Sequence, residues 1–236
     1  NKDPYSGKTR FAPLGKKLSA ILEDIAAPAG RPGGQGGHLF ALVSRRGLHP
    51  LTVCNDCGKV VTCERCNAPL TLHATDSSRS AAQVKNIFMC HPCGKETVSS
   101  DRCESCMSWR LASLGIGTEF VEETLKKDFP SLAVMRLDKE TGDTRKKALE
   151  IVADFYKTTA GVLVGTEFAL SFLSRVTHSA VVSCDALFSI PDFRMNERVF
   201  ALLLALRAKT EKTFLIQTRM PEIPLWRESI RGNISD

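Results

Sequence analysis

Nine cysteines in 236 residues carry the most obvious chemistry in this sequence. Eight of them fall into four C-x-x-C pairs, Cys54/Cys57, Cys63/Cys66, Cys90/Cys93 and Cys103/Cys106, and only Cys184 stands apart. Each pair makes a tight knuckle that aims two sulfurs at one centre. Zinc takes four such thiolates tetrahedrally, each at about 2.3 Å, so four knuckles predict two zinc sites. The rival uses fit less well: no secretory signal supports a disulfide framework, and a redox dithiol normally occurs once, near the start of a βαβ unit. A site built from the first two knuckles would be a cramped hairpin, with only five residues between Cys57 and Cys63. Nesting relieves this. Cys63, Cys66, Cys90 and Cys93 then hold an inner zinc, and Cys54, Cys57, Cys103 and Cys106 an outer one that staples the two ends of the segment. Both metals would be structural, because four protein ligands leave no open position. His73 and His91 are read as spacer or surface residues, since eight thiolates already fill both sites. Cys184 sits in an apolar run without a base motif beside it and is read as a packed core thiol.

The elements that must position these knuckles alternate on either side of them. Lys16 to Ala27 has Leu18, Ile21, Leu22 and Ile25 on one helical face, and Pro28 ends it. GRPGGQGG at 30–37 follows as a linker, and His38–Ser44 reads as a buried strand. Residues 54–106 are poor in aliphatics and read as a metal-built insertion. Beyond Trp109, helices are expected at 118–128 (with Thr118 as N-cap), 143–157, 167–173 and 196–209. Strands are expected at 132–137, 161–164, 180–184 and 213–217. Strands alternating with helices imply βαβ units and a mostly parallel sheet, hence an α/β fold. The domain division expected is a leader of helix and linker at 1–37, a lobe made of 38–53 plus 107–236, and the insertion at 54–106.

Composition excludes several classes. Hydrophobic residues at 43% and charged residues at 25% are globular usage rather than disorder. The longest uncharged apolar run, Val199 to Leu206, falls far short of the roughly 20 residues of a membrane span, so no membrane partner is expected. The opening NKDPYSGKTR has no apolar signal region, which points to the cytoplasm, and the missing initiator Met reads as the mark of a piece of a longer chain. Eight thiolates and two zinc ions would bring the formal charge of +6 down to about +2, so any affinity for nucleic acid must come from local placement of charge.

Taken together, these pieces resemble the primosomal protein N prime family, bacterial replication-restart DNA helicases of superfamily 2. The resemblance is carried by Ser44-Arg45-Arg46-Gly47, the ordered eight cysteines and Cys66-Asn67-Ala68-Pro69-Leu70-Thr71-Leu72-His73. It continues through Leu114-Gly115-Ile116-Gly117-Thr118-Glu119, Arg136-Leu137-Asp138-Lys139-Glu140-Thr141 and Leu163-Val164-Gly165-Thr166-Glu167. The run from Asp185 to Arg194, then Glu197-Arg198 and Gln217-Thr218, completes it. It spans about residues 39 to 226. The resemblance implies a RecA-like parallel-sheet helicase lobe, the second of two, with a two-zinc insertion and the nested cysteine pairing. It also implies ATP chemistry in the complete protein, DNA as the partner in forked or single-stranded form, and primosome or single-strand-binding proteins as further partners.

The departures bear on activity. No G-x-x-x-x-G-K-[ST] P-loop occurs; Gly7-Lys8-Thr9 has its last three letters by chance. The family motif Q-x-x-G-R-x-G-R sends arginines to the ATP γ-phosphate across the lobe interface. Here that stretch reads LLLALRAKTEK at 202–212, leaving Arg207, which reads as a surface residue of a helix. Phe168 to Leu173 replaces the Lys-Gly and acidic residue that follow the second G-T-E.

Nucleic-acid contacts are expected at Arg45 and Arg46 after the first strand, and at Thr118 and Thr166, where backbone N–H groups at a strand-to-helix turn can hold a phosphate. Phe88 and Trp109 flank zinc knuckles; stacking on bases is possible chemistry for them, and a role in the module's mini-core is the preferred reading. The function expected is a DNA-binding module of replication restart, helicase-like and without ATPase activity of its own. The alternatives are the C-terminal half of an active ATP-dependent helicase and a zinc-stabilised protein–protein adaptor.

Overall fold

The computed structural model of the chain describes residues 14–27, 36–43, 51–73, 87–98, 102–114, 117–183, 185–190, 192, 194–223 and 225–227. Five strands build the main sheet: β1 (Gly37–Val43), β7 (Ala133–Leu137), β8 (Ala160–Gly165), β9 (Val176–Ser183) and β10 (Thr210–Ile216). Their spatial order is β10-β9-β1-β8-β7, and every neighbouring pair is parallel. Such a sheet needs cover on both faces. Helices α1 (Lys16–Ala26) and α2 (Thr118–Asp128) cover one face; α3 (Arg145–Lys157), α4 (Glu167–Leu170) and α5 (Met195–Ala208) cover the other. The alternation of strand side chains divides the core accordingly. Phe40, Leu163 and Val181 meet Val152, Phe155, Val199 and Leu203 on one side. Leu39, Ala41, Val162 and Ala180 meet Leu18, Leu22, Ile25, Val121 and Leu125 on the other.

Helix α1 therefore packs on the sheet, with Leu18 and Leu22 essentially inaccessible. Helix α2 begins differently from expectation. Gly117 is its N-cap and makes no side-chain cap, while Thr118 is turned inward to a buried carboxylate. Helix α3 is capped by Thr144, whose hydroxyl accepts from the Lys147 N–H, so it starts two residues later than the acidic Asp143 suggests. Helix α4 stops at Leu170 rather than 173. Strand β9 begins at Val176, four residues before its apolar run.

Between β1 and α2 the chain builds a second, smaller body. Strands β2 (Leu51–Cys54) and β6 (Leu111–Leu114) pair antiparallel at its base, Cys54 opposite Leu111. Strands β3 (Thr71–His73), β4 (Ile87–Met89) and β5 (Glu96–Val98) form an antiparallel sheet farther along. The segments with Gly7-Lys8-Thr9, Arg45-Arg46 and Cys184 lie outside the described residues.

Candidate metal centres

All four knuckles share one backbone design. In each, the N–H of the residue after the second cysteine donates to the carbonyl of the first: Gly58 to Cys54, Asn67 to Cys63, Gly94 to Cys90 and Met107 to Cys103, all at 2.8 Å. The N–H of the first cysteine then donates five residues ahead, to Lys59, Ala68, Lys95 or Ser108. This turn drives the residue after the second cysteine into the left-handed region, with φ of 76° at Gly58, 57° at Asn67, 69° at Gly94 and 58° at Met107. Glycine and asparagine take that conformation at low cost; methionine does not. Gly58 has a second reason to be glycine, because a Cβ there would stand 2.9 Å from the Arg219 guanidinium.

The knuckles bring their sulfurs together in two tetrads, Cys54/Cys57/Cys103/Cys106 and Cys63/Cys66/Cys90/Cys93, with all four sulfurs of each within 4.8 Å of one another. The closest approaches are 3.5 Å for Cys54–Cys106, 3.7 Å for Cys57–Cys103, 3.7 Å for Cys63–Cys93 and 3.4 Å for Cys66–Cys90. A disulfide needs about 2.05 Å. Four sulfurs about 2.3 Å from a common zinc stand about 3.8 Å apart, so the donor set and the spacing both suit a tetrahedral metal. The grouping is the nested one. His91 belongs to neither tetrad.

Electrostatics point the same way. Burial works against ionisation of Cys54, but N–H groups of Cys57 and Asp56 and the Cys106 thiol bring it down to about 7. The Lys95 N–H and neighbouring thiols bring Cys93 to about 7 as well. Burial and the other three thiols push Cys90 strongly up. Cys106, despite the Ser108 N–H beside it, is pushed up to about 12 by burial and its thiol neighbours. In each tetrad one thiol is thus held down while two are pushed up, the pattern of thiols crowded round one centre whose shared charge a dication would relieve.

Each tetrad is also cross-braced. In the outer one, Asp56 of the first knuckle accepts from Ser108 Oγ and, at 2.9 Å, from Arg110 Nη1 beyond the fourth. In the inner one, Glu64 of the second knuckle pairs with Lys95 beyond the third at 2.9 Å. The inner tetrad encloses a small apolar cluster of Cys63, Leu70, Phe88 and Cys90. Phe88, 3% exposed, is the mini-core residue expected of it, whereas Trp109 is 76% exposed and is not. The mini-core is closed by Leu72, Val61 and Leu111, and the fourth-knuckle turn carries Trp109 outward.

The module rests on the lobe where strand β9 ends. Leu51, Val53 and Val60 pack on Ala186 and Met220. Arg219 Nη1 donates to the Gly58 carbonyl at 3.0 Å. Buried Asp185 holds the turn that aims Arg219, accepting from Thr218 Oγ1 at 2.6 Å and the Arg219 N–H at 2.8 Å. Burial pushes the Asp185 carboxyl up, against those two donors. An open cleft of about 910 Å³ remains between the two bodies, lined by Lys59, Asn67 and Pro92 on one side and by Phe188, Asn196 and Ile223 on the other.

Thr118 and Thr166 both stand at the C-terminal edge of the sheet, beside paired strand ends (Leu137 opposite Gly165). Chain order reverses about β1, and ligands of open parallel sheets bind at such an edge. Thr118 is 2% exposed and donates its hydroxyl to Asp138 Oδ2 at 2.7 Å, so only backbone N–H groups of α2 remain for a ligand there. Asp138 also accepts from the N–H groups of Glu140 at 3.0 Å and Thr141 at 3.1 Å. These donors and Arg136 outweigh burial and hold its carboxyl below the usual range. Asp138, Asp185 and Arg219 are structural anchors of the edge that residue types alone did not single out. Arg207 is exposed on α5.

A parallel-sheet α/β lobe with a nested, cysteine-rich module whose two tetrads could each hold a metal ion, set between its first strand and its second helix, is the class that fold and site define. Its relatives are replication restart proteins. The chain is 32% identical to replication restart protein PriA of Haemophilus influenzae over 221 residues, 90% of this chain and 27% of that protein. It is 33% identical to PriA of Bacillus subtilis over 171 residues, 72% of this chain and 20% of that protein. The match to PriA of Chlamydia pneumoniae, at 27% identity, covers 100% of this chain and 30% of that protein. No protein-family model matches the chain. The chain is thus a divergent relative of the PriA proteins, spanning about a quarter of their length. No helix among the described residues is long and apolar enough to cross a membrane.

Proposed function

We propose that this chain is a DNA-binding module of replication restart, a helicase-type lobe stiffened by two structural zinc ions. The observation that carries the reading is the nested pair of cysteine tetrads on a parallel-sheet lobe, in a chain aligned with the Haemophilus influenzae PriA over 90% of its length. Zinc, one ion per tetrad, fits four thiolates with no open ligand position. The proposed phosphate contacts are Arg45 and Arg46, which follow β1 in sequence, with Thr166 and the first-turn N–H groups of α2 beginning at Thr118. Forked and single-stranded DNA are the proposed ligands, and primosome or single-strand-binding proteins the proposed partners. The chain by itself does not hydrolyse ATP.

Filter binding of forked, single-stranded and duplex DNA at two salt concentrations tests the reading. Forked or single-stranded DNA should bind more tightly than duplex, and binding should weaken steeply with salt as phosphate contacts release counterions. Absence of binding at low salt by metal-replete protein would remove the DNA role. A second reading, that the lobe completes the ATP site of a working helicase beside a P-loop lobe, is favoured by the relatives' length, since the matched segment is only 27% of the Haemophilus protein. A P-loop in the genomic reading frame upstream of Asn1 would select it.

A further inference from the structure

The fourth knuckle departs from the other three in the residue it places at the left-handed position. Gly58, Asn67 and Gly94 occupy that position elsewhere; Met107 occupies it here, with φ of 58°. A Cβ in that conformation crowds the following carbonyl, so methionine holds the turn less well than glycine or asparagine would. Its side chain returns nothing to the core, being 60% exposed, and two residues on Trp109 is 76% exposed. Scattered apolar side chains at a surface are ordinary. A strained backbone carrying an exposed methionine two residues before an exposed tryptophan, on a turn braced by hydrogen bonds to its own knuckle and to the first, is a different matter. The turn beneath them is fixed by Met107 N–H to Cys103 carbonyl at 2.8 Å and Cys103 N–H to Ser108 carbonyl at 2.7 Å, and Asp56 ties it to the first knuckle through Ser108 and Arg110.

Size decides the partner. A Trp and a Met offer together a few hundred Å², well below the roughly 800 Å² per partner of a standard protein interface. The other large exposed apolar side chains among the described residues, Phe120 and Leu149, sit on α2 and α3 of the lobe. One exposed indole, with an exposed methionine two residues before it in the chain, matches a single flat π-face, and an unpaired base presents one whatever its identity. We infer that Trp109 and Met107 form a stacking platform for an unpaired base of single-stranded DNA, on a turn braced by the outer cysteine tetrad and Asp56. The inference rests on the DNA-binding reading above.

Fluorescence separates the platform from that reading. The chain has two tryptophans. Trp226 is 6% exposed, its indole N–H bonded to the Met220 carbonyl at 2.8 Å, so it serves as an internal reference. A short oligothymidylate added to the metal-replete full chain should quench the solvent-exposed Trp109 emission and leave that of Trp226. Trp109→Ala should weaken binding about 5- to 150-fold, the range for loss of one stacked base, while Trp109→Phe keeps most of it. Met107→Gly should raise the melting midpoint by about 2–4 °C through relief of the left-handed strain, and weaken oligothymidylate binding severalfold. An abasic oligomer of equal length should bind as weakly to wild type as to Trp109→Ala. If wild type binds oligothymidylate but Trp109→Ala binds it equally and no quenching occurs, the platform is wrong and the DNA reading stands. If wild type binds neither oligothymidylate nor forked DNA, both fall.

Discussion

Asp138 shows how a single side chain at the sheet edge decides what that edge can do. Its carboxylate accepts from the Thr118 hydroxyl and two backbone N–H groups, with Arg136 Nε 3.5 Å away. It thereby joins the end of β7 to the start of α2. Asp138→Asn should cost about 1–3 kcal/mol at neutral pH, because buried donors lose a charged acceptor. The folded carboxyl is held below its unfolded value, so its stabilisation is present above about pH 4 and is lost as pH falls through the folded value. Urea denaturation should therefore show a full gap between wild type and variant at about pH 6 that narrows as pH falls below about 4; a constant gap would mean that folding leaves the Asp138 carboxyl unperturbed. The cysteines give a second residue-scale outcome. Cys63 and Cys90 share a tetrad, so Cys63→Ser and Cys90→Ser together should lose no more metal than either alone, by elemental analysis of purified protein. Cys63→Ser with Cys103→Ser should lose both metals. Additive loss in the first pair would contradict the nested grouping.

At the scale of elements, the junction between module and lobe depends on one turn after β10. Asp185 fixes Thr218 and the Arg219 backbone, and Arg219 reaches the Gly58 carbonyl of the first knuckle. Arg219→Ala removes the one charged contact at this junction that the described hydrogen bonds show and leaves the apolar contacts of Leu51, Val53 and Val60. Amides of β2 and the first knuckle should then exchange about 10- to 100-fold faster, with β1 and β8 unchanged and metal content intact. Unchanged exchange would show that apolar packing alone seats the module. Arg219's part in this junction is not legible in the sequence, where it is one basic residue among many, although Asp185 and Thr218 lie in the runs that carry the resemblance. The knuckles are legible because metal chemistry imposes a spacing, and the main strands because a parallel sheet buried on both faces demands apolar runs. Elements whose burial is polar are not. The first half of β9 hides because Thr177, His178 and Ser179 interrupt the apolar pattern, and Ser179 meets the Thr210 hydroxyl instead. Helix α1 is visible from Leu18, Ile21, Leu22 and Ile25, but its periodicity reports a buried face without saying that Leu39, Ala41 and Ala180 cover it. Trp109 escapes for a related reason: composition predicts a core for an aromatic residue, and only the direction of the fourth-knuckle turn exposes it.

For the molecule as a whole, the question raised by the proposed reading is whether such a lobe, with its sheet, helices and cysteine module, can take part in ATP chemistry. Phosphoryl transfer depends on positioning and charge: a loop cradles the β- and γ-phosphates, and an arginine from the facing lobe stabilises the charge of the transferring group. The sequence contains no P-loop. The stretch 202–212 that would carry the arginine pair is instead the second half of α5 and the start of β10. Leu203 and Leu206 are buried there against the sheet, so that face of the helix serves the core. Arg207, its one arginine, is exposed on α5. An arginine finger alone is worth about 10³–10⁵ in rate, so on the proposed reading, in which no arginine fills that role, hydrolysis is expected near background. On that reading, adding a first motor lobe from a relative would supply the cradle and not the finger. Phosphate release should therefore show no stimulation by forked DNA, for the chain alone or mixed with such a lobe, under conditions where a complete family member turns over. Stimulated turnover in the mixture that disappears in Arg207→Ala would show that Arg207 swings to the γ-phosphate and that α5 has kept the motor's role by a different residue; turnover that survives Arg207→Ala would place the finger on another arginine.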